Sequence, residues 1–198
     1  MLRGLILGIL LTVIVAAGSG YLILRSGIIP ANADAKPGSL ERFIAGMSLR
    51  ATLRNEAPKI RNPVPLTDAK LIAGIKLYRK HCLICHGTAA GDAAPSAIGR
   101  GENPGAPQLA SKGVEDDPEG WTFWKIAHGI RWTGMPSWKD VLTDSQIWTL
   151  TLFLKHMDRL PPGPEAAWRA TTADGAVGAP TFSQGSSVVK SEGTTGKP

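Results

Sequence analysis

The run Cys82-Leu83-Ile84-Cys85-His86 constrains this chain more than any other part of its sequence. Its C-x-x-C-H spacing is the attachment signature of a c-type haem, in which each thiol forms a thioether with one haem vinyl group. His86 follows directly and is placed to ligate the iron from one face. The 198 residues contain no second run of this kind, so we expect one covalently bound haem c with its iron.

Three other chemistries use paired cysteines. A redox C-x-x-C pair opens a helix after a strand, and nothing upstream of Cys82 resembles a parallel strand. A structural zinc site needs four ligands, and His81, His128 and His156 lack the tight second pair of a zinc finger. A local disulfide within the pair would leave the adjacent histidine without a role. We therefore favour haem over these alternatives.

An uncharged apolar segment occupies residues 4–24, between Arg3 and Arg25. As a helix at about 1.5 Å per residue it would span roughly 30 Å, the thickness of the hydrocarbon core of a bilayer. The alternative is a cleaved signal peptide, whose apolar region is usually about 7–15 residues long, and small residues at 31–35 do resemble a cleavage site. We predict an uncleaved transmembrane anchor over residues 1–25.

The formal net charge of +6 is unevenly distributed. Residues 1–62 carry 8 basic and 3 acidic side chains, residues 63–160 carry 11 and 10, and the remainder carry 3 and 3. The basic excess therefore lies beside the apolar segment, where it fits anionic lipid or an acidic partner better than nucleic acid. Basic residues beyond an anchor oppose the positive-inside rule. We let the C-x-x-C-H motif decide the topology, because c-type haem is attached outside the bacterial inner membrane.

Residues 26–65 are typical of a linker followed by a basic arm. A helix is predicted over residues 39–56, with Ser39 as its cap and apolar residues punctuating a basic stretch. Three surroundings suit such a helix equally well: the membrane surface, a partner subunit, or the chain's own domain.

Residues 66–160 have the pattern of a helical domain, and residues 161–198 have the composition of a disordered tail, within which Trp168 is a candidate for local docking. Long stretches without regular structure are usually functional in compact domains. We therefore expect the loop predicted within this domain to wrap around one edge of the haem. The predicted elements are a helix from Thr67 to about Lys80, a loop from Gly87 to Lys112, a helix from Pro118 to near Gly129, and a helix capped by Thr143 and running to about Arg159.

A haem iron held by one histidine has a free sixth position, and Met135 is our prediction for the ligand there. It lies in a loop between a glycine and a proline, which can place its thioether over the haem plane. Methionine raises the reduction potential and blocks small molecules from the iron. The other candidate donors are two further methionines and two helical histidines, namely Met47, Met157, His128 and His156.

Taken together, these motifs resemble the class I c-type cytochromes, and more narrowly the single-haem domains of cbb3-oxidase cytochrome c subunits. The resemblance covers about residues 66–160 and implies an all-α fold of three to five helices around one haem, after the N-terminal transmembrane helix. It also implies that Gly74 and Tyr78 meet the last helix near Trp148 and Leu152. The matching pieces are residues 74–78, 82–87, 107–109, 126–130, 133–138 and 146–154.

The same resemblance implies the roles of the site residues. Cys82 and Cys85 would hold the haem covalently, and His86 and Met135 would be the two axial iron ligands. The carbonyl group of Pro107 would accept a hydrogen bond from the His86 ring and so orient it. The haem pocket would contain Pro107, Leu109 and Trp138.

The predicted function is single-electron transfer by a single-pass, membrane-anchored monohaem cytochrome on the periplasmic side of the bacterial inner membrane, with no catalytic residues. The alternative is a fixed cytochrome c subunit of a membrane oxidoreductase, such as a terminal oxidase or a dehydrogenase. A minor alternative is a haem enzyme with an open distal site, for which His128 is the nearby acid–base group. The expected partners are periplasmic or membrane redox proteins, including an oxidase, a dehydrogenase or another cytochrome.

Overall fold

The computed structural model describes residues 2–89, 97–111 and 113–171. Within these ranges the chain is all-helical and has no strand, which confirms the predicted fold class. The helices in chain order are α1 (Leu2–Arg25), α2 (Ser39–Glu56), α3 (Asp68–His81), α4 (Leu83–His86), α5 (Ala97–Gly101), α6 (Glu119–His128), α7 (Asp144–Lys155) and α8 (Pro162–Arg169).

Helix α1 is the uncharged segment near the N-terminus, and its length and composition suffice to cross a membrane. The apolar core helix of a soluble protein would be mostly covered by the rest of its fold, whereas no side chain of α1 is buried by the described residues. A signal sequence would share these properties. The apolar surface of α1 is therefore available to lipid.

Helices α3 and α7 begin where their capping residues predict. The Thr67 hydroxyl oxygen accepts a hydrogen bond from the Lys70 N–H at 3.3 Å, and Thr143 does the same for the Gln146 N–H at 3.3 Å. The Gln146 side chain in turn accepts from the Thr143 N–H at 2.9 Å, which completes a capping box. These bonds satisfy N–H groups that have no partner within the first helical turn. Helix α7 ends at Lys155, somewhat earlier than expected.

The most extensive contact between helices is the crossing of α3 and α7. A Cβ atom placed on Gly74 would lie 2.6 Å from the Cβ of Phe153 and 2.8 Å from the carbonyl oxygen of Thr149. Only a glycine lets the two backbones come this close. The crossing involves the expected helices, with the contact one residue further along α7 than Trp148 and Leu152.

Three aromatic rings, one each from α3, α7 and α8, pack together beside this crossing. Tyr78, Phe153 and Trp168 pack edge to face, with ring centroids 5.2–5.6 Å apart. Trp168 belongs to α8 and is 4% exposed. The prediction of a disordered tail is therefore wrong for residues 162–169, because Trp168 gains a buried apolar site on α3 and α7. Residues 172–198 of that predicted tail lie outside the described residues.

The long loop expected between Gly87 and Lys112 contains a short helix, α5, which the prediction missed. Residues 90–96 and 112 of this segment lie outside the described ranges. Beyond α5 the chain runs without regular structure to Leu109, which is buried in the core.

Helix α2 has the predicted bounds but a different cap. Gly38 precedes the first turn, and its N–H donates to the Glu41 carboxylate at 3.2 Å, whereas Ser39 is already helical. The C-terminal end of α2 joins the domain, since Leu53 is 3% and Ala57 is 5% exposed.

The segment after α2 is fixed to the domain by close backbone contact and hydrogen bonds. The Pro58 carbonyl lies so close to Gly120 of α6 that a Cβ atom there would clash with it. The Asn62 N–H donates to the Glu119 carboxylate at 3.1 Å, and the Asn62 side chain donates to the Trp148 carbonyl oxygen at 2.8 Å. The end of α2 is thus held against both α6 and α7.

Substitution of Gly74 tests the helix crossing. We expect Gly74→Ala to lower the free energy of unfolding by about 1–3 kcal/mol, because the new methyl group forces α3 and α7 apart. Guanidinium unfolding followed by helical circular dichroism measures the change. Gly46→Ala is the matched control, since a Cβ at Gly46 would meet only the flexible Arg50 side chain, at 3.6 Å. Equal losses in the two variants would contradict the importance of the crossing.

Candidate functional site

The C-x-x-C-H motif folds as a single helical turn at the end of α3. The Cys82 N–H donates to the Tyr78 carbonyl oxygen at 2.8 Å, which completes α3, and the His86 N–H donates to the Cys82 carbonyl oxygen at 2.9 Å, which forms α4. Gly87 ends α4 with a φ of 78°, in the left-handed region that favours glycine. One compact turn therefore presents both thiols and the imidazole.

The ring of His86 is held by the backbone of another segment. Its Nδ1 lies 2.9 Å from the Pro107 carbonyl oxygen, the contact that the resemblance implied. Because a carbonyl oxygen can only accept a hydrogen bond, Nδ1 carries the proton of the neutral ring, which leaves the lone pair on Nε2. A histidine fixed in this way is prepared to ligate a metal through Nε2.

Tyr78 connects the core to the turn that follows His86. Its hydroxyl group donates to the Gly87 carbonyl oxygen at 2.9 Å, and the side chain is fully buried. Burial raises the pKa of Tyr78, so the hydroxyl group stays protonated as a donor. The aromatic contacts of α3, α7 and α8 therefore also determine where α4 ends.

Cys82 and Cys85 are free thiols. Burial raises the pKa of each to about 12; the neighbouring Cys85 adds to the effect on Cys82, and the hydrogen bond and charge of Glu102 add to the effect on Cys85. Both thiols are therefore protonated at neutral pH, whereas a redox C-x-x-C pair relies on a lowered pKa. Among the described residues no group of three or more His, Cys, Asp or Glu side chains could hold a metal ion. The raised thiol pKa values argue against the redox alternative.

The loop that carries Met135 is tied to the end of α6. The Ile130 N–H donates to the Met135 carbonyl oxygen at 3.2 Å, and the Met135 N–H donates to the Thr133 hydroxyl oxygen at 3.1 Å. Gly129, with a φ of 69°, lies so close that a Cβ atom would be 2.6 Å from the Met135 carbonyl oxygen. The backbone of Met135 therefore has a defined position.

The predicted pocket residues gather around one apolar cluster. Leu109 is 8% exposed and belongs to this cluster, and the partly buried Cys82, Met135 and Trp138 pack against it. The Trp138 ring also contacts the His81 ring, with centroids 4.9 Å apart. Both sides of the predicted haem pocket, the cysteine turn and the methionine loop, thus meet the same core.

The alternative histidine ligands lie elsewhere. His128 is exposed at the end of α6, with its ring 4.8 Å from the Trp124 ring. His156 follows α7, where its Nδ1 lies 2.9 Å from the Leu152 carbonyl oxygen, and it lines a surface groove with Arg61.

Glu102 is a site residue that the sequence analysis missed. The Cys85 thiol donates to its Oε1 at 3.0 Å, and a Cβ atom on Gly134 would lie 2.6 Å from its Cγ. Glu102 therefore lies between the cysteine turn and the methionine loop. The one available signal was its isolation, because it is the only acidic residue between Asp92 and Glu115.

Gln108 is a second residue that was missed. The nitrogen and oxygen of its side-chain amide are buried against Gly87 and find no hydrogen-bond partner among the described residues. Buried polar groups without partners are uncommon in native structures. Gln108 directly follows Pro107, whose carbonyl oxygen contacts the His86 ring.

The donor set fits one haem c. It comprises two free, protonated thiols three positions apart, an imidazole whose Nε2 is available, and a partly buried thioether on a separate loop. The apolar side chains that Cys82 and Met135 contact, Leu109 among them, would line one side of a porphyrin ring. When bound, the haem would supply a one-electron couple.

The all-α fold and this site define a class I c-type cytochrome domain. The family comparison is more specific: residues 69–154 match the family described as Cytochrome C oxidase, cbb3-type, subunit III. This match supports a c-type cytochrome domain of the cbb3 type over these residues, and with it a haem-based electron carrier. Helices α1, α2 and α8 lie outside the match. No curated protein and no solved structure matches the chain.

Proposed function

We propose that the chain is a membrane-anchored monohaem cytochrome that passes single electrons between redox partners on the periplasmic side of the bacterial inner membrane. The observation that carries this proposal is the C-x-x-C-H turn, with the His86 Nδ1 bound to the Pro107 carbonyl oxygen. That contact leaves Nε2 free for iron, beside two thiols available for thioethers.

Each site residue has a distinct role in this proposal. Cys82 and Cys85 would attach the haem covalently, and His86 would ligate the iron. Pro107 orients the His86 ring, as groups behind a metal ligand commonly do. The apolar walls of the pocket are formed by Leu109 and Trp138, which keep water from the haem.

Met135 would supply the second protein ligand of the iron. A thioether ligand raises the reduction potential and occupies the site that an enzyme would leave open for a small molecule. The loop hydrogen bonds at Thr133 and Ile130 support this role because they fix the backbone of the ligand. The haem-enzyme alternative needs an acid–base group over an open iron, and the exposed position of His128 does not favour it.

Helix α1 would hold the domain at the membrane. Confinement of a carrier to the membrane surface raises its effective concentration at a membrane-bound donor or acceptor. The exposed apolar surface of α1 supports this role. The periplasmic side follows from the compartment in which c-type haem is attached.

A second function is favoured by the family description. A chain whose domain matches cbb3-type subunit III would serve as a fixed cytochrome c subunit of a membrane oxidoreductase, such as a terminal oxidase or a dehydrogenase. The chemistry at the haem is the same in both cases. The difference lies in whether the redox partner is permanently bound or is exchanged, as with a separate oxidase, dehydrogenase or cytochrome.

Covalent attachment of one haem is directly measurable. We expect the intact mass of the exported protein to exceed that of the polypeptide by one haem, which remains after extraction with acidified acetone. The double variant Cys82→Ala/Cys85→Ala should lose all covalently held haem, because no other thiol is present in the chain. Extractable haem in the wild type, or two haems per chain, would contradict the proposal.

Replacement of Met135 tests the distal ligand. Met135→Leu conserves volume but removes the sulfur, so we expect loss of the weak long-wavelength band of sulfur-ligated ferric haem. The reduction potential should fall, and the ferrous form should bind carbon monoxide. Met157→Leu is the matched control, because Met157 is buried in the core and should leave all three properties unchanged. Retention of the band in Met135→Leu would exclude Met135 as the ligand.

The two proposed functions predict different results when the protein is purified from membranes. After mild solubilisation of native membranes, an exchangeable carrier should purify alone, with one haem and no stoichiometric partner. A fixed subunit should instead co-purify at constant ratio with other redox-active chains. Size-exclusion chromatography combined with mass spectrometry distinguishes these outcomes.

A further inference from the structure

Helix α2 has an apolar stripe that no described part of the protein covers. Leu40 is 68%, Phe43 61%, Ile44 49% and Met47 49% exposed. Their spacing of three and four residues places them on one side of the helix. The side chain that packs into the domain, Leu53, lies on a different side, so the stripe is not part of the domain core.

Two arginines extend the same stripe toward the end of the helix. Arg50 and Arg54 lie seven and eleven residues after Phe43, which are helical repeats of its position. Neither forms an ion pair with any residue that the structure describes. The region from residue 36 to residue 61 holds six basic and two acidic side chains. The uncovered surface is therefore apolar in its first half and positively charged in its second half.

The bilayer lies within reach of this surface. Helix α1 ends at Arg25 and α2 begins at Ser39, so 13 residues join them. At about 3.5 Å per residue, this linker holds the start of α2 within roughly 45 Å of the end of the anchor. A membrane interface offers both acyl-chain surface and lipid phosphates, which match the two halves of the stripe.

We propose that α2 docks on the surface of an anionic bilayer and thereby holds the haem domain in one orientation. Leu40, Phe43, Ile44 and Met47 enter the interfacial region, while Arg50 and Arg54 contact lipid phosphates. Because Leu53, Ala57 and Asn62 fix the end of α2 to the domain, lipid contact sets the direction in which the haem faces. The proposal rests on the membrane anchoring proposed above.

Thiol accessibility tests this docking in the full-length holoprotein. Attachment of haem consumes Cys82 and Cys85, so Met47→Cys carries the only reactive thiol. We expect its labelling by a water-soluble maleimide to slow on the order of tenfold in vesicles with anionic lipid, relative to zwitterionic vesicles. Ala45→Cys is the matched control, because Ala45 is exposed on the other side of α2 and should label equally in both lipids.

Charge removal provides a second variant. Adding Arg50→Gln and Arg54→Gln to Met47→Cys should restore fast labelling in anionic vesicles, with haem content and helical circular dichroism unchanged. Equal labelling in both lipids, in protein that floats with the vesicles, would overturn the docking proposal while leaving the anchor intact. Protein that does not float would instead overturn the anchoring on which the proposal rests.

Two other binding partners of the apolar stripe would give distinct labelling results, and either result would overturn the proposal. Protection that depends on protein concentration and not on lipid charge would indicate contact with a second copy of this chain. Protection seen only in native membranes, and absent from reconstituted vesicles of either composition, would indicate a partner subunit.

Discussion

The close crossing of α3 and α7 at Gly74 is the contact on which the site depends. Tyr78 lies one turn beyond the crossing, where its ring packs on Phe153 and its hydroxyl group holds the Gly87 carbonyl. The C-x-x-C-H turn lies between Tyr78 and Gly87 in the sequence, so its position relative to α7 follows from how closely α3 and α7 approach each other. A wider crossing would displace the ring, the hydrogen bond and the turn together. The stability of the core and the geometry of the thiols and imidazole therefore both depend on the close crossing at Gly74.

Hydrogen bonds to backbone carbonyl groups position the remaining parts of the site. Pro107 offers its carbonyl group to His86, and the Met135 loop is bonded to itself and to the end of α6. Such contacts tolerate change in the surrounding side chains and still keep the donor atoms in place. An electron carrier benefits from this rigidity because its ligands need not rearrange when the iron changes its oxidation state. The segment after α2 is attached to the domain in the same manner, through Asn62 and the Pro58 carbonyl.

Local sequence signals predicted much of this fold, whereas most contacts between residues that are distant in the sequence were not predicted. A capping residue and the N–H it binds are only three positions apart, so Thr67 and Thr143 marked the helix starts. The His86 contact was expected because its motif resembles a known family. Helix α8 was missed, since a proline-rich stretch is stabilised there by burial of Trp168 against rings far away in the sequence. Glu102 was missed for the same reason, as 17 positions separate it from Cys85 and loop composition says nothing about that approach.

The contact between Cys85 and Glu102 exists only while the sulfur carries a proton. A thioether has no hydrogen to donate, so formation of the haem bond removes the donor that Glu102 uses in the structure described here. The hydrogen bond between Cys85 and Glu102 and the thioether to the haem are therefore mutually exclusive. Maturation of the protein thus changes the surroundings of the Glu102 carboxylate, at the junction of the cysteine turn and the methionine loop.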